Sequence, residues 1–278
     1  MIELPECYVL AEQINETLAG KTIAEATANA HPHGFAWFTG EPAVYNAMLA
    51  GKRITAAHPG TAHTCGGNTE IECEDMLLVI STPIKYHAPG AKIAPKHQLL
   101  LRFTDDSHMS CTVQMWGAMF CYPIAESQLP ESFICPKEPK PLSGDFDRAY
   151  FDALWAAAKP TLSAKAFLAT EQRIPGLGNG VLQDILFNAR IHPKRKLAQM
   201  TDVDKEHLFA SVKSTLADMT ARGGRDTEKD LHGRSGGYTT ILSSKTAGGP
   251  CLVCGSNIVK EAYLGGSIYY CPGCQPVP

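Results

Sequence analysis

Four cysteines close to the C-terminus have the spacing of metal ligands. They form two C-x-x-C pairs, Cys251 with Cys254 and Cys271 with Cys274, which are separated by sixteen residues. A two-residue spacing lets a tight turn aim both thiolates at one ion, and two such turns complete a tetrahedral set. Residues 258–270 between the pairs are long enough for one β-hairpin. The pattern predicts one structural Zn²⁺ ion, and four sulfur ligands leave no open catalytic position.

The alternative for these four cysteines is a pair of disulfides, which the expected reducing compartment disfavours. A module this small could not fold unaided, so zinc is expected to contribute on the order of 10 kcal/mol locally. The other six cysteines stand among apolar neighbours and are interpreted as reduced thiols: Cys7, Cys65, Cys73, Cys111, Cys121 and Cys135.

A glycine-rich turn before a predicted helix forms a second candidate site. Gly178, Asn179 and Gly180 would expose backbone N–H groups at the positive end of the helix dipole, which favours an anion. Asn179 is expected to cap the helix, and Lys194 and Arg195 add charge at its far end. An ordinary helical hairpin with closely packed glycines is the alternative. The zinc module downstream favours binding of the DNA backbone.

The charge distribution supports this interpretation only locally. The whole chain carries a net charge of −3, which by itself argues against a nucleic-acid partner. Residues 159–196, however, hold seven basic side chains against two acids, and a polyanion responds to such local fields. A solvated basic face is the alternative. No apolar run approaches the ~18 residues of a membrane span, and acidic residues interrupt any signal sequence at the start, so we expect a cytoplasmic protein.

The pattern of elements divides the chain in two. Residues 1–135 alternate short apolar runs with turn signals, which predicts mostly antiparallel β-structure with one early helix at 11–19. A proline-dense stretch, 136–145, is the predicted linker. Helical periodicity follows from 146 to 246, and the zinc finger occupies 247–278. The predicted strands are 76–81, 97–103, 108–116 and 118–123; the predicted helices are 146–159, 163–172, 179–189 and 201–221; residues 222–250 are expected to be flexible.

Four sequence pieces, in order along nearly the whole chain, resemble the formamidopyrimidine-DNA glycosylase and endonuclease VIII family. They are ELPE (Glu3–Glu6), LAGKTI (Leu18–Ile23), RIPGLGNGVLQDILFNARIHP (Arg173–Pro193) and PCLVCG with YYCPGCQ (Pro250–Gln275). The resemblance implies an α+β fold with an N-terminal antiparallel β-sandwich, a helix–two-turn–helix domain and a four-cysteine zinc finger. It also implies that DNA is held between the two halves and that the target base is flipped out of the stack.

The resemblance also implies roles for particular residues. Glu3 matches the acid beside the sugar of the damaged nucleotide, and Asn179 with its neighbouring amides matches the grip on phosphate. The four C-terminal cysteines match the zinc ligands. Family members usually have a proline where this chain has Ile2, and the amine of that proline attacks C1′ after removal of Met1. Ile2 is therefore a catalytic candidate only if Met1 is removed, because retention would displace the amine by up to ~3.5 Å.

Other groups of the family pattern are absent from this sequence. The lysine of an early strand falls near Gly60-Thr61, where Lys52 or Lys85 could substitute. The tip of the zinc-finger hairpin lacks the usual arginine. The strand that carries the family's wedge arginine reads Thr112–Gly117, in which Gln114, Met115 or Trp116 could fill the gap left by a flipped base. A plain core strand is the alternative there.

Three functions are compatible with these observations. The first is a base-excision DNA glycosylase with abasic-site lyase activity on oxidised or ring-opened bases, which acts as a monomer on double-stranded, damaged or abasic DNA associated with the nucleoid. The second is a non-catalytic binder of damaged DNA that has lost the nucleophile. The third, a zinc-ribbon protein that binds RNA or a protein, rests on the net acidity alone.

Overall fold

The computed structural model separates into two compact units. Unit 1 consists of Met1–Pro136 together with Gly223–Gly237, and unit 2 consists of Lys137–Arg222 together with Tyr238–Pro278. The predicted linker lies partly outside the described part of the chain, as do Met1, Cys65 and Cys135. The residues described are 2–60, 67–126, 139–170 and 173–276.

Unit 1 is a β-sandwich with a helix against one side. One sheet has the order β1-β7-β8-β6 and is antiparallel throughout. The other has the order β2-β9-β5-β4-β3, in which β2 and β9 run parallel and the other pairs antiparallel. The elements are α1 (Leu4–Thr17), β1 (Ile23–Ala28), β2 (Ala36–Phe38), α2 (Tyr45–Leu49), β3 (Ile54–Pro59), β4 (Thr69–Cys73), β5 (Met76–Ile80), β6 (Ile84–His87), β7 (Leu99–Phe103), β8 (His108–Cys111) and β9 (Gly117–Pro123).

The core of unit 1 follows from alternation in its strands. Leu99, Leu101 and Phe103 of β7 point inward and are fully buried, whereas the residues between them are partly exposed. The same core takes side chains from both sheets and from α1, including Ile14. This shared core makes the two sheets a sandwich. Of the six thiols interpreted as reduced, Cys7, Cys73, Cys111 and Cys121 are buried and free.

The first helix begins earlier than predicted. It starts at Leu4 rather than at residue 11, because Glu3 and Glu6 form a reciprocal capping box and Pro5 occupies the first turn. The predicted strand 108–116 is also too long, since β8 ends at Cys111. Beyond it, the N–H of Val113 donates to the Gln98 side chain at 2.7 Å instead of to a neighbouring strand.

Residues 223–237 are an anchored part of unit 1, which corrects their placement in the 146–246 domain and the expectation of flexibility. Leu231 is fully buried in the sandwich core, and its carbonyl accepts from the N–H of Tyr86 at 2.8 Å. Gln13 of α1 donates to Asp230 at 3.1 Å and accepts from the N–H of Leu231 at 2.9 Å. Glycine content suggests mobility, but these long-range contacts hold the segment in place.

Unit 2 contains the predicted helices and the cysteine module. The elements are α3 (Arg148–Ala157), α4 (Ala164–Ala169), α5 (Val181–Asn188), α6 (Asp202–Ala221), β10 (Val259–Tyr263) and β11 (Gly266–Tyr270). α6 opens with a capping box between Thr201 and Asp204, and Ser163 caps α4. The hairpin expected between the cysteine pairs is present as β10 and β11. Among the residues described, no helix has the length and apolarity to cross a bilayer.

Candidate functional site

The four C-terminal cysteines converge on one point. The Sγ atoms of Cys251, Cys254, Cys271 and Cys274 all lie within 4.8 Å of one another. Cys254 and Cys271 are 3.3 Å apart, and Cys251 and Cys274 are 3.8 Å apart. A tetrahedral site with Zn–S bonds of about 2.3 Å requires S···S separations of about 3.8 Å. The donor set and its spacing therefore fit a single tetrahedral metal ion.

The surroundings of these sulfurs favour the thiolates of Cys251 and Cys254, whereas burial raises the pKa of Cys271 and of Cys274. The Ser256 hydroxyl and the Ser256 backbone lower the pKa of Cys254 to about 6 by hydrogen bonding. Backbone N–H groups donate to two of the other sulfurs, Val253 to Cys251 and Cys274 to Cys271, each at 3.4 Å. Donors directed at sulfur stabilise the charged form that binds metal. The cluster therefore offers four sulfur donors that could hold one metal ion.

The glycine-rich turn lies directly before α5, as predicted, but Asn179 does not cap the helix. The N-cap is Gly180, and Nδ2 of Asn179 donates to the carbonyl of Ser267 at 3.0 Å. Asn179 is exposed, and both Gly178 and Gly180 are partly exposed. The turn therefore presents backbone and an amide to solvent, while the Asn179 amide also holds the cysteine hairpin.

Gln183 and Lys165 share this holding role, which the sequence pattern did not reveal. The Gln183 side chain donates to the carbonyl of Ser267 at 3.2 Å and accepts from the N–H of Tyr269 at 3.0 Å. It therefore pairs with the backbone of β11 as a neighbouring strand would. The Lys165 ammonium donates to the carbonyl of Tyr263 at 2.5 Å, and burial lowers the pKa of Lys165. Asn179 and Gln183 are four residues apart, so the sequence did indicate that their side chains would lie on the same face at the start of α5.

Lys194 and Arg195 are both engaged in ion pairs within unit 2. Arg195 forms a two-pronged pair with Asp204, at 2.7 and 3.0 Å, and also donates to the carbonyl of Gln199. Lys194 pairs with Glu261 of β10. Arg195 therefore holds the start of α6. The contact of Lys194 and Arg195 with DNA stays a prediction, and the ion pairs that engage both side chains disfavour it.

The other basic side chains of residues 159–196 differ in whether they are exposed or bonded within the protein. Lys159, Arg190 and Lys196 are exposed, whereas Arg173 donates to the last carbonyls of α4. The exposed three are the basic side chains of this run best placed to meet a polyanion, and sequence alone does not separate them from the paired ones.

Glu3 and Ile2 lie at the start of α1 in unit 1. The side chain of Ile2 is 2% exposed and belongs to the sandwich core, and Glu3 is 7% exposed. The N–H of Glu3 donates to the Glu6 carboxylate at 3.2 Å. The sandwich therefore fixes the second residue of the chain and places a carboxylate directly beside it.

Arg225 completes this charge cluster, and no sequence pattern pointed to it. Its Nη2 and Nε donate to the two oxygens of Glu6 at 2.8 and 3.0 Å, and its Nη1 lies 3.5 Å from Oε2 of Glu3. Burial alone would lower the pKa of Arg225, but the two carboxylates outweigh it and raise the pKa. Arg225 and Glu6 are 219 positions apart, so no local pattern could have paired them.

A third acid borders the cluster. Burial raises the pKa of Glu228, although the Arg225 guanidinium opposes the shift. The N–H of Glu228 donates to the carbonyl of Arg225 at 3.0 Å, which places both in one turn. The cluster thus combines three carboxyl groups with one arginine.

The loop at residues 112–116 exposes two large apolar side chains. Met115 is 72% exposed and Trp116 39% exposed, so the core-strand alternative is wrong for both. The rings of Trp116 and Trp37 of β2 are 5.6 Å apart. Gln114 is exposed as well. An exposed apolar loop of this kind can insert between bases.

The two lysines considered as substitutes differ in their engagement. Lys52 pairs with Asp75, so it has an internal partner. Lys85 of β6 is exposed beside Gly233. Thr61, near which the family's lysine falls, lies outside the described residues.

Comparison with known proteins relates the whole chain to one family, although a scan against models of protein families found no match. The formamidopyrimidine-DNA glycosylase of Bacillus cereus is 25% identical over 290 residues, which cover 99% of each chain. That of Symbiobacterium thermophilum is 36% identical over 143 residues, or 50% of this chain and 46% of the relative.

Solved structures share the fold. The Lactococcus lactis Fpg in complex with DNA that contains an abasic site has a TM-score of 0.80 at 22% identity, and the match covers 99% of this chain and 100% of that one. The MutM (Fpg) protein of Thermus thermophilus has a TM-score of 0.79 at 21% identity, over 98% of both chains. Together with the cysteine cluster and the order of elements, these similarities relate the chain over its full length to proteins named formamidopyrimidine-DNA glycosylase and show that it shares the fold of the solved Fpg structures.

Proposed function

We propose that the protein is a DNA glycosylase of base-excision repair, with abasic-site lyase activity, that acts on oxidised or ring-opened bases in duplex DNA. The relatives named formamidopyrimidine-DNA glycosylase align over the full chain, and an Fpg structure was solved with DNA that contains N7-benzyl-Fapy-dG. The observation that carries the proposal is Glu3, a buried carboxylate held by Glu6 and Arg225 beside the second residue.

The nucleophile in this proposal is the α-amine of Ile2, exposed by removal of Met1. Its lone pair forms a bond to C1′ as the bond between C1′ and the base breaks, and the base leaves with the electron pair and takes a proton. The nitrogen then loses a proton, and its lone pair forms the C=N bond of an iminium ion as the bond between C1′ and O4′ breaks and O4′ takes a proton. A free α-amine titrates near pKa 7.7–8.0, so part of it is neutral and reactive at physiological pH. Glu3 stabilises the positive charge that develops beside it.

The DNA-binding part of the proposal uses unit 2 and the 112–116 loop. Backbone amides and Asn179 at the start of α5 receive a phosphate, as helix N-termini do. Met115 and Trp116 fill the space of a flipped base. The cysteine cluster binds one Zn²⁺, which holds the hairpin structure and supplies no chemistry to the reaction. In this proposal the protein acts as a monomer.

Borohydride trapping on a duplex with one abasic site tests the enzymatic proposal. The reducing agent converts an iminium ion to a stable covalent adduct, so the protein should cross-link to DNA and nick it in the absence of the reagent. Glu3→Gln should slow both reactions by roughly 100-fold or more. Glu12→Gln, on an exposed position of the same helix, is the matched control and should leave them unchanged. An inactive wild-type protein on abasic and oxidised substrates would exclude the proposal.

A non-catalytic binder of damaged DNA is the second candidate, and one observation favours it. The Ile2 side chain is part of the core, and aminopeptidases remove Met1 readily only before small residues. Intact mass spectrometry of the purified protein separates the two candidates at the start, because retention of Met1 leaves the Ile2 amine blocked. A binder would still prefer abasic duplex over a bulk polyanion.

The salt dependence of that binding tests which cations meet the phosphates. Each phosphate contact contributes about −0.9 to the slope of log K against log salt. Lys196→Met should make the slope shallower by about that amount, because Lys196 is exposed. Arg195→Met should change the slope less, since Arg195 is paired with Asp204. Equal slopes for both variants and the wild type would place the phosphate contacts elsewhere.

A further inference from the structure

The Glu6 carboxylate is the central acceptor of the cluster at the start of α1. Its Oε1 accepts from the N–H of Arg225 at 3.2 Å and from Nε at 3.0 Å. Its Oε2 accepts from Nη2 of Arg225 at 2.8 Å and from the N–H of Glu3 at 3.2 Å. A single buried carboxylate thus joins the backbone of residue 3 to the backbone and side chain of residue 225.

Arg225 also reaches Glu3 directly. Its Nη1 lies 3.5 Å from Oε2 of Glu3, and only 4% of the Arg225 side chain is exposed. The guanidinium is planar and its donors have fixed directions, so a two-pronged contact with Glu6 determines where the third nitrogen points. Glu3 is therefore held both through its backbone, by Glu6, and through its carboxylate, by Arg225.

The backbone around Arg225 is as constrained as the side chain. Gly224 has φ +90° and packs against Glu6, and a Cβ at Gly236 would lie 2.2 Å from the carbonyl oxygen of Gly224. The two backbone segments of this loop therefore cross with no room for a side chain. Asp230 and Leu231 fasten its far end to Gln13 of α1. The loop that carries Arg225 is attached to α1 at two points.

We infer that Arg225 is a positioning residue for the reaction, which sets the place of the Glu3 carboxylate relative to the second residue of the chain. The inference rests on the proposed function, since it gives Glu3 its catalytic role. Arg225 touches neither DNA nor the reacting atoms in this scheme, and acts through Glu3 and Glu6. Residues 223–237 thereby form a brace for the active-site carboxylate.

The test separates binding from chemistry in the full-length protein. Binding is measured with a duplex that carries a tetrahydrofuran abasic analogue, which cannot form an imine. Chemistry is measured as the single-turnover rate of borohydride-trappable adduct formation on a true abasic duplex. A positioning role predicts a loss of rate with little change in affinity, whereas a loss of global structure would reduce both.

Two variants change Arg225, and a third serves as the control. Arg225→Lys keeps the charge but not the two-pronged geometry, and should bind the analogue within about threefold of wild type while its rate falls roughly 10-fold or more. Arg225→Met combined with Glu6→Met removes the central ion pair and leaves less unpaired buried charge than Arg225→Met alone, and should lose roughly 100-fold in rate. Arg234→Met is the matched control, because the Arg234 side chain lies in the same loop, is 69% exposed and pairs with Asp230. The rate of this variant should equal that of the wild type.

The outcomes distinguish this inference from the function on which it rests. Retained binding with slower chemistry in both Arg225 variants supports it, with the lysine variant intermediate. Wild-type rates in the folded double variant would overturn the positioning role and leave the enzymatic proposal intact. A wild-type protein that binds the analogue but forms no adduct would overturn both.

Discussion

The two best-defined clusters of the molecule, the cysteine module of unit 2 and the charge cluster of unit 1, are built in opposite ways. The four cysteines come from two short turns near the end of the chain, and their spacing alone identifies the cluster. The charge cluster joins Glu3 and Glu6 to Arg225, and Glu6 lies 219 positions from its arginine. The cysteine cluster is thus encoded by residues close together in the chain, whereas the charge cluster forms only when folding brings distant residues together.

The difference also extends to what each cluster does for stability. A structural metal brings a large binding free energy to a module with little core of its own. A buried ion pair mainly offsets its own desolvation, so it contributes little net free energy but is costly to break. We therefore expect the cysteine module to determine whether the hairpin folds, and the charge cluster to determine where one carboxylate lies.

The largest effect is expected from loss of the metal site. Cys271→Ser should abolish zinc binding and unfold the hairpin, at a local cost on the order of 10 kcal/mol. Zinc content per chain, measured by atomic emission, and protease sensitivity of residues 250–276 report the change. Cys111→Ala, which alters a buried thiol of unit 1, should keep one zinc per chain. A Cys271→Ser protein with full zinc content would show that the cluster is not the site.

Breaking the charge cluster should have the next largest effect. Arg225→Met leaves Glu3 and Glu6 buried without the arginine, so the free energy of unfolding of unit 1 should fall by about 3–5 kcal/mol. Denaturant unfolding followed by fluorescence measures this loss. Adding Glu6→Met should recover much of it, because one of the two remaining buried charges is removed. Equal stability of the single variant and the wild type would contradict the buried pair.

A smaller effect is expected where the cysteine hairpin meets α5 inside unit 2. Gln183→Ala removes the side chain that contacts Ser267 and Tyr269 of the hairpin, and should cost about 1–2 kcal/mol. Zinc content should stay at one per chain, because no ligand is changed. Hydrogen exchange of the β11 amides would show the loosening. Loss of zinc in this variant would mean that docking on α5 is required to form the metal site.

The smallest effect concerns Glu228 and depends on pH. Burial raises the pKa of this carboxyl group in the folded protein, so the folded state binds its proton more tightly than the unfolded state does. The stability from this group is present below the unfolded pKa and is lost as pH rises through the folded pKa. Glu228→Gln should therefore be more stable than wild type at pH 8 and lose that advantage towards pH 4. Parallel stability curves would contradict the shift.

The sequence is most informative where function depends on neighbours in the chain. The antiparallel strands of unit 1, the hairpin between the cysteine pairs and the turn before α5 follow from alternation, spacing and glycine content, whereas the sandwich was implied by the family resemblance. The early start of α1 is also encoded locally, in Glu3, Pro5 and Glu6, since a capping box and an N-terminal proline are local signals.

The sequence-based predictions that were wrong inferred flexibility or free charge from composition, which does not show tertiary contacts. Glycine content predicts flexibility for residues 222–250, yet Leu231 is buried and Gly236 is required by a backbone crossing. Lys194 and Arg195 count as free cations in the composition, yet Glu261 and Asp204 pair with them. Charge counts cannot show which cations already have a partner.

What the sequence determined by itself is the four-cysteine cluster, the glycine-rich turn before α5 and the resemblance to one family, because each depends on motifs whose residues are close together in the chain. What only the tertiary structure decided is which charges are paired and which carboxylate is braced. The sequence predicts Asn179 as a cap, and folding instead directs its amide to Ser267. Arg225 has no recognisable role until folding brings it to Glu3 and Glu6, because an interaction between distant residues leaves no spacing to read.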